Sequence, residues 1–203
     1  GKSEEKLGSF GLNDLRVISK LPALKQRQKS ISRMMKVHIS ESLDRLGIEQ
    51  LDSLLLHRTE DLLSEDGEKI YSTLLWLKEK GMCKRIGVSA YQTSDVERIL
   101  DRYHIDLVQV PFNIFDRRLT DSGLLSRLAK RGTDIHVRSI FLQGLLLMKN
   151  EDRPTYFNRW NPLWKEWEKW LSQNELTPLQ ACLAFVSPYR EIECVIVGVQ
   201  STE

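Results

Sequence analysis

The sequence predicts an α/β fold in which short parallel strands alternate with longer helices. Three observations predict it. Short runs rich in leucine and β-branched residues recur along the chain, each nearly continuous in apolar character, as in strands buried on both faces. Longer segments with helical spacing separate them. The regular alternation of the two implies a parallel sheet with right-handed crossovers.

Leu15–Ser19 (LRVIS) is the first strand-like run. Ile31–Leu46 follows as a helix, with Met34, Val37, Ile39, Leu43 and Leu46 near one face and Gly47 as its C-cap. Leu51–Leu56 (LDSLLL) is the next strand, and Glu68–Lys80 the next helix, carrying Ile70, Leu74, Leu75 and Leu77 and ending at Gly81. Arg85–Val88 (RIGV) leads to a helix over Ser94–Tyr103, where Ser94 and Glu97 have capping-box spacing. Leu107–Val110 (LVQV) precedes a helix over Ser122–Lys130, which ends near Gly132. After Asp134–Val137 (DIHV) come two helices, Leu163–Ser172 and Thr177–Ser187, the second with Pro178 in its first turn. Cys194–Val197 (CVIV) is the last run.

Two architectures fit this order: a doubly wound open sheet and a closed (β/α)8 barrel. An open sheet that binds a dinucleotide usually shows a glycine-rich turn after its first strand, and no G-x-G-x-x-G occurs here. A closed barrel has eight strands in about 250 residues. Six runs in 203 residues fall about two βα units short of that.

The length suggests one domain over residues 1–203. Hydrophobic residues make up 41% and charged residues 29%, an ordinary globular balance. A net charge of +2 from 30 basic and 28 acidic residues, well mixed, lacks the basic face that nucleic acid needs. The basic cluster Lys25–Lys29 (KQRQK) reads as a solvated loop or helix start. The three cysteines, Cys83, Cys182 and Cys194, have no metal-ligand spacing and read as reduced thiols. No apolar run approaches the roughly 20 residues that span a bilayer, and the N-terminus carries no signal-peptide core. The expectation is a cytoplasmic protein with no membrane or nucleic-acid partner; its oligomeric state is left open.

In a (β/α)8 barrel the active site sits at the C-terminal ends of the strands, so the polar residues that end each run are the candidates. These are Lys20 (VISK), His57 (LLLHR), Ser89 (IGVS), Gln109 and Asn113 (VQVPFN), and Arg138 and Ser139 (HVRS) with Gln143 and Gly144 beyond. The last run ends in Gly198, with Gln200, Ser201 and Thr202 after it. A convergent polar set over an apolar barrel has the form of a small-molecule site. Each residue also has a plainer reading. Lysines are usually solvated. His57 could be satisfied by a backbone carbonyl, and Ser89 could cap the next helix. Gln109 lies inside an apolar run and needs a partner, either a ligand or the neighbouring strand. His38, His104 and His136 read as structural or exposed, with His136 facing a helix. Trp160, Trp164, Trp167 and Trp170 have helical spacing and read as one packed face, with a lesser reading in which one of them walls the substrate pocket. Asp116, Arg117 and Arg118 read as loop ion pairs.

SEEKLG, SLDRLGIEQLDSLLLHR, GMCKRIGVSAYQ, VQVPFNIFDRR, SIFLQGLL and VIVGVQS, in that order, resemble the aldo-keto reductases over nearly the whole chain. The resemblance implies a (β/α)8 barrel whose first two strands lie before Gly1. It implies an NADP(H)-dependent enzyme, in preference to NAD(H), that reduces an aldehyde or ketone. In that family a tyrosine protonates the oxygen, a lysine lowers the tyrosine's pKa, an aspartate pairs with the lysine, and a histidine orients the carbonyl. Lys20 matches the lysine and His57 the histidine. Ser89 and Gln109 match the residues that hold the nicotinamide carboxamide. Ser139, Gln143 and Gly144 match the pyrophosphate loop; Gly198, Gln200 and Ser201 match the start of the adenosine-phosphate loop.

This chain departs from the family pattern in three places. It opens at the glycine that follows the family's tyrosine, so the resemblance places tyrosine and aspartate upstream. Ala90 stands where many members carry asparagine. Arg138 stands where many carry an aromatic that stacks on the nicotinamide, and a guanidinium can stack on a planar ring too. The alternative of a different class is a protein of this fold that binds NADP(H) to sense redox state or regulate a partner, with slow or no turnover.

Overall fold

The leucine-rich run Leu51–Leu56 forms a strand with both faces covered, as its composition predicts. Five others lie in the same sheet of a computed structural model that describes residues 1–12, 14–24 and 30–199. In chain order they are β1 (Ile18–Leu21), β2 (Leu51–Leu56), β3 (Cys83–Ser89), β4 (Leu107–Pro111), β5 (Asp134–Arg138) and β6 (Cys194–Val195). Every pairing is parallel and the order is β1-β2-β3-β4-β5-β6. Each strand lies beside its predecessor, so strand order never reverses. A doubly wound open sheet has such a reversal. The stepwise order is that of a (β/α)8 barrel, which decides between the two architectures.

The helices are α1 (Lys2–Gly8), α2 (Ile31–Leu46), α3 (Thr59–Leu63), α4 (Gly67–Glu79), α5 (Thr93–Leu100), α6 (Arg118–Asp121), α7 (Leu124–Lys130), α8 (Asn161–Gln173) and α9 (Pro178–Val186). Short 3-10 turns occupy Leu145–Leu147, Asn150–Asp152 and Thr155–Trp160. In α2 the buried stripe is Ile31, Met35, Ile39, Ser42, Leu43 and Leu46. Met34 and Val37, expected on that stripe, are exposed, and so is Leu75 of α4. Gly47 closes α2 at φ 65°, a left-handed C-cap that glycine adopts without strain. The Ser94–Glu97 capping box does not form, because α5 starts at Thr93 with Gln92 as its N-cap. At α9 a capping box does form: Thr177 and Gln180 satisfy each other's backbone N–H groups. The first strand starts three residues later than its apolar run, and Leu15 is exposed. The basic run 25–29 lies outside the described residues.

Side chains alternate across the sheet. Leu54, Leu56, Ile86, Val88, Val108, Val110, Ile135 and Val137 join the core that α2, α4, α5 and α7 cover. The other face is inner. The registers Lys20–Leu55, Leu55–Gly87 and Gly87–Leu107 run across it as one row. Ser89, Gln109, His136 and Cys194 form the next row. His136 therefore faces inward, not toward a helix as its sequence reading had it. Inward space is tight at Gly87, where a Cβ would stand 1.9 Å from the Leu107 carbonyl oxygen.

At the N-terminal ends of the strands a charged network ties the sheet together. The Arg85 guanidinium donates to Asp52 at 2.5 Å, Asp134 at 2.6 Å and Glu193 at 2.8 Å. Glu193 also accepts from Arg16 at 2.7 Å and lies 2.8 Å from His136 Nε2. Burial raises the Glu193 pKa, but the hydrogen bonds from Arg85, His136 and Arg16 outweigh it and hold the carboxyl at about 2. α1 buries none of its residues; Glu4 anchors it by accepting from Ser19 on β1 and from Ser42 and Arg45 on α2.

A second apolar cluster is separate from the first. Leu145 and Leu146 pack with Trp164, Trp167 and Leu171 of α8 and Ala181 and Cys182 of α9. Of the four tryptophans, Trp164 and Trp167 are buried in this cluster and the half-buried Trp160 packs against it. Trp170 is exposed and stacks on Trp167 at 5.8 Å.

Candidate active site

The polar residues that end the strands open into one cleft of about 920 Å³. Its walls include Lys20 from β1, His57 just past β2, Ser89 of β3, Gln109 of β4 and Arg138 of β5. Ser139, Gln143 and Gly144 form the segment after β5, and Gly198 follows β6. Nine of the sequence-derived candidates therefore share one space; Gln200 and Ser201 lie outside the described residues. The volume lies within the range of roughly 300–1,000 Å³ typical of small-molecule sites.

Four of these side chains have no hydrogen-bond or ionic partner among the described residues: Lys20, His57, Ser89 and Gln109. Ser89 is 3% exposed and Gln109 2% exposed, and both face the cleft. Among the described side-chain nitrogens and oxygens, only His136 Nδ1 and Arg153 Nε are cut off from solvent without a partner. The neighbouring strands supply Ser89 and Gln109 with no partner, so their polar atoms open onto the cleft. Burial lowers the Lys20 pKa, and the Arg138 charge lowers it further. Arg138 donates to the Ala90 carbonyl at 3.1 Å and to Ser139 Oγ at 3.4 Å. Its guanidinium lies 4.2 Å from the ring centre of Tyr91, which also lines the cleft. Sequence reasoning missed Tyr91; its only signal is an aromatic two residues past a strand end.

The segment after β5 has unusual backbone geometry. Ser139, Leu142, Gln143 and Gly144 have φ of 59°, 47°, 58° and 86°, all in the left-handed region. For the three non-glycine residues this costs about 1–3 kcal/mol each, and such strain clusters at ligand sites. Turns that mix right- and left-handed residues point successive N–H groups into an anion-binding concavity. Asn113 braces the segment: its Nδ2 donates to the Ser139 carbonyl at 3.0 Å, while its Oδ1 accepts from the Phe115 and Asp116 amides at 2.9 Å. The expected loop ion pair forms between Asp116 and Arg118 at 2.7 Å.

Two smaller hollows adjoin the cleft. One of about 380 Å³ shares Lys20 and His57 with it and is bordered by Gly1 and Glu4. The other, about 580 Å³, shares Gln143 and Met148 and is walled by Phe115, Leu142, Phe157, Trp160 and Trp164. Among the described residues no cluster of three or more His, Cys, Asp or Glu could hold a metal. No helix there is long and apolar enough to cross a membrane.

The family model described as the aldo/keto reductase family matches residues 1–203. The chain belongs to that family. Membership supports oxidoreductase chemistry on carbonyl compounds, and the family generally binds NAD(P)H. No curated protein matches the sequence. Among solved structures, an aldo-keto reductase from Bacillus halodurans aligns with a TM-score of 0.76 and 19% identity, over 97% of this chain and 67% of that one. A glycerol dehydrogenase from Gluconobacter oxydans aligns with a TM-score of 0.67 and 16% identity, over 95% and 67%. A thermostable aldo-keto reductase in complex with the inhibitor epalrestat aligns with a TM-score of 0.70 and 22% identity, over 98% and 68%. At these identities the likeness is one of fold. The chain spans about two thirds of the length of these structures.

Proposed function

We propose that the protein is an NAD(P)H-dependent oxidoreductase that reduces an aldehyde or ketone to an alcohol, with NADP(H) as its natural dinucleotide. The observation that carries this reading is the set of partnerless polar side chains, Lys20, His57, Ser89 and Gln109, facing one cleft beside a left-handed backbone segment. A nicotinamide dinucleotide, when bound, supplies the hydride. Ser89 and Gln109 offer a hydroxyl and an amide to the carboxamide. The backbone of Ser139 to Gly144 is suited to the pyrophosphate through the amides it leaves open, those of Leu142 and Gly144 already donating to the Ser139 and Phe141 carbonyls. The 2′-phosphate preference rests on the family resemblance.

His57 is exposed at the cleft and can donate a hydrogen bond to the carbonyl oxygen, orienting it and favouring the charge it gains. Lys20 is a half-buried cation beside it, and a cation lowers the pKa of a neighbouring phenol. The resemblance assigns the proton donor to a tyrosine, and a phenol entering the hollow that Lys20 and His57 share would lie beside the lysine. The apolar hollow walled by Trp160 and Trp164 suits the hydrocarbon part of a carbonyl substrate.

The test is loss of NADPH absorbance in the presence of a panel of aldehydes and ketones, by the protein in its natural length. Lys20→Met should cut turnover by about 10²- to 10⁴-fold, the usual worth of acid–base assistance, while the dinucleotide still binds. Undiminished turnover in that variant would remove Lys20 from the chemistry. Tight dinucleotide binding without turnover on any carbonyl would favour a sensor.

A further inference from the structure

We propose that Arg138 makes the cleft discriminate between the redox states of its nicotinamide dinucleotide, binding the reduced form more tightly than the oxidised one. The inference rests on the dinucleotide reading above. The two forms share every phosphate and both riboses. They differ in the ring, which is neutral when reduced and positively charged when oxidised. A fixed cation near the ring repels the oxidised form alone.

Arg138 has the properties this requires. It ends β5 and lines the cleft, and its guanidinium is a planar, delocalised cation. It is held in place by neutral groups, the Ala90 carbonyl, the Ser139 hydroxyl and the Tyr91 ring face. No described carboxylate forms an ion pair with it. Asp116, close enough to feel its charge, is already bidentate to Arg118 at 2.8 and 2.7 Å. Its position beside the carboxamide holders is set by the sheet: Ser89 pairs with Gln109, and Pro111, two residues further along β4, pairs with Arg138. Lys20 lines the same cleft and adds a second positive charge. A site of this kind lets the oxidised form go more readily than the reduced form, which suits net reduction of a carbonyl over oxidation of an alcohol.

The experiment is a set of equilibrium titrations of the natural-length protein with NADPH, NADP+ and 2′,5′-ADP, with NADH, NAD+ and ADP in parallel. NADPH should bind at least about tenfold more tightly than NADP+, about 1.4 kcal/mol. Arg138→Gln should bring the two Kd values to within about threefold, chiefly by tightening NADP+. Arg138→Lys, which keeps the charge, should preserve the ratio. The affinity for 2′,5′-ADP, which has phosphates and no nicotinamide, should be the same in the protein and in Arg138→Gln. Equal Kd values in the unmodified protein, or a ratio that survives Arg138→Gln, would overturn the proposal. Weaker 2′,5′-ADP binding in Arg138→Gln would overturn it too, since Arg138 would then be a phosphate ligand. Failure of every dinucleotide to bind would bring down the oxidoreductase reading itself.

Discussion

Burial loosens the hold of Lys20 on its proton, and the Arg138 guanidinium loosens it further. Removing a neighbouring cation raises a lysine's pKa. In Arg138→Gln the alkaline limb of kcat/KM that reports Lys20 therefore moves to higher pH; a limb that stays fixed in the pH–rate profile would mean that the two charges are not coupled. Lys20, His57, Ser89 and Gln109 are legible in the sequence because each ends, or interrupts, an apolar run, where a polar side chain has no other business. Tyr91 is not legible, because an exposed aromatic in a loop has no periodicity to betray it. His136 shows a subtler limit. Alternation along β5 puts His136 and Val137 on opposite faces but does not say which face is inner. That is decided by the register with Gln109 and by the hydrogen bond between His136 Nε2 and Glu193.

Elements with a strong apolar stripe are read well, and those held by polar contacts are not. The spans Ile31–Leu46 and Leu51–Leu56 are the same in sequence reading and structure. α1 has no apolar stripe and no buried residue, and is fixed through Glu4, so nothing in its pattern announces it. α3 and α6 are too short, at 5 and 4 residues, for a helical period to emerge. Strand packing is equally specific. Gly87 sits in mid-strand where a methyl group would meet the Leu107 carbonyl, a backbone atom that cannot turn aside. Gly87→Ala should destabilise the protein by about 1–3 kcal/mol or more, as overpacking does, read as a lowered urea midpoint. An unchanged midpoint would mean that β3 and β4 are not as closely apposed as described.

The molecule divides its labour between the two ends of its sheet. One end holds unpaired polar groups facing a cleft; the other holds the Arg85 network, in which Arg85 and Arg16 meet three carboxylates. Glu193 is held at about 2 against an ordinary 4.5. A depressed carboxyl contributes stability that is present above its ordinary value and lost as pH falls through the folded one. Folding stability should therefore drop between about pH 4.5 and 2, and Glu193→Gln should flatten that drop while lowering stability near neutral pH. Urea titrations at stepped pH would show it, and parallel curves for the two proteins would exclude Glu193 as the source.

The stepwise strand order has a consequence for how the chain is made. Each of β2 to β6 docks against the strand synthesised just before it, and only closure of the barrel waits for the last strand. From β1 to β5 the closures between neighbours stay local, which keeps their entropic cost low, while the connection from Arg138 to Cys194 is the long one. The sheet can thus grow outward from the ribosome in increments of one strand and its covering helix, with newly exposed apolar surface covered as it emerges.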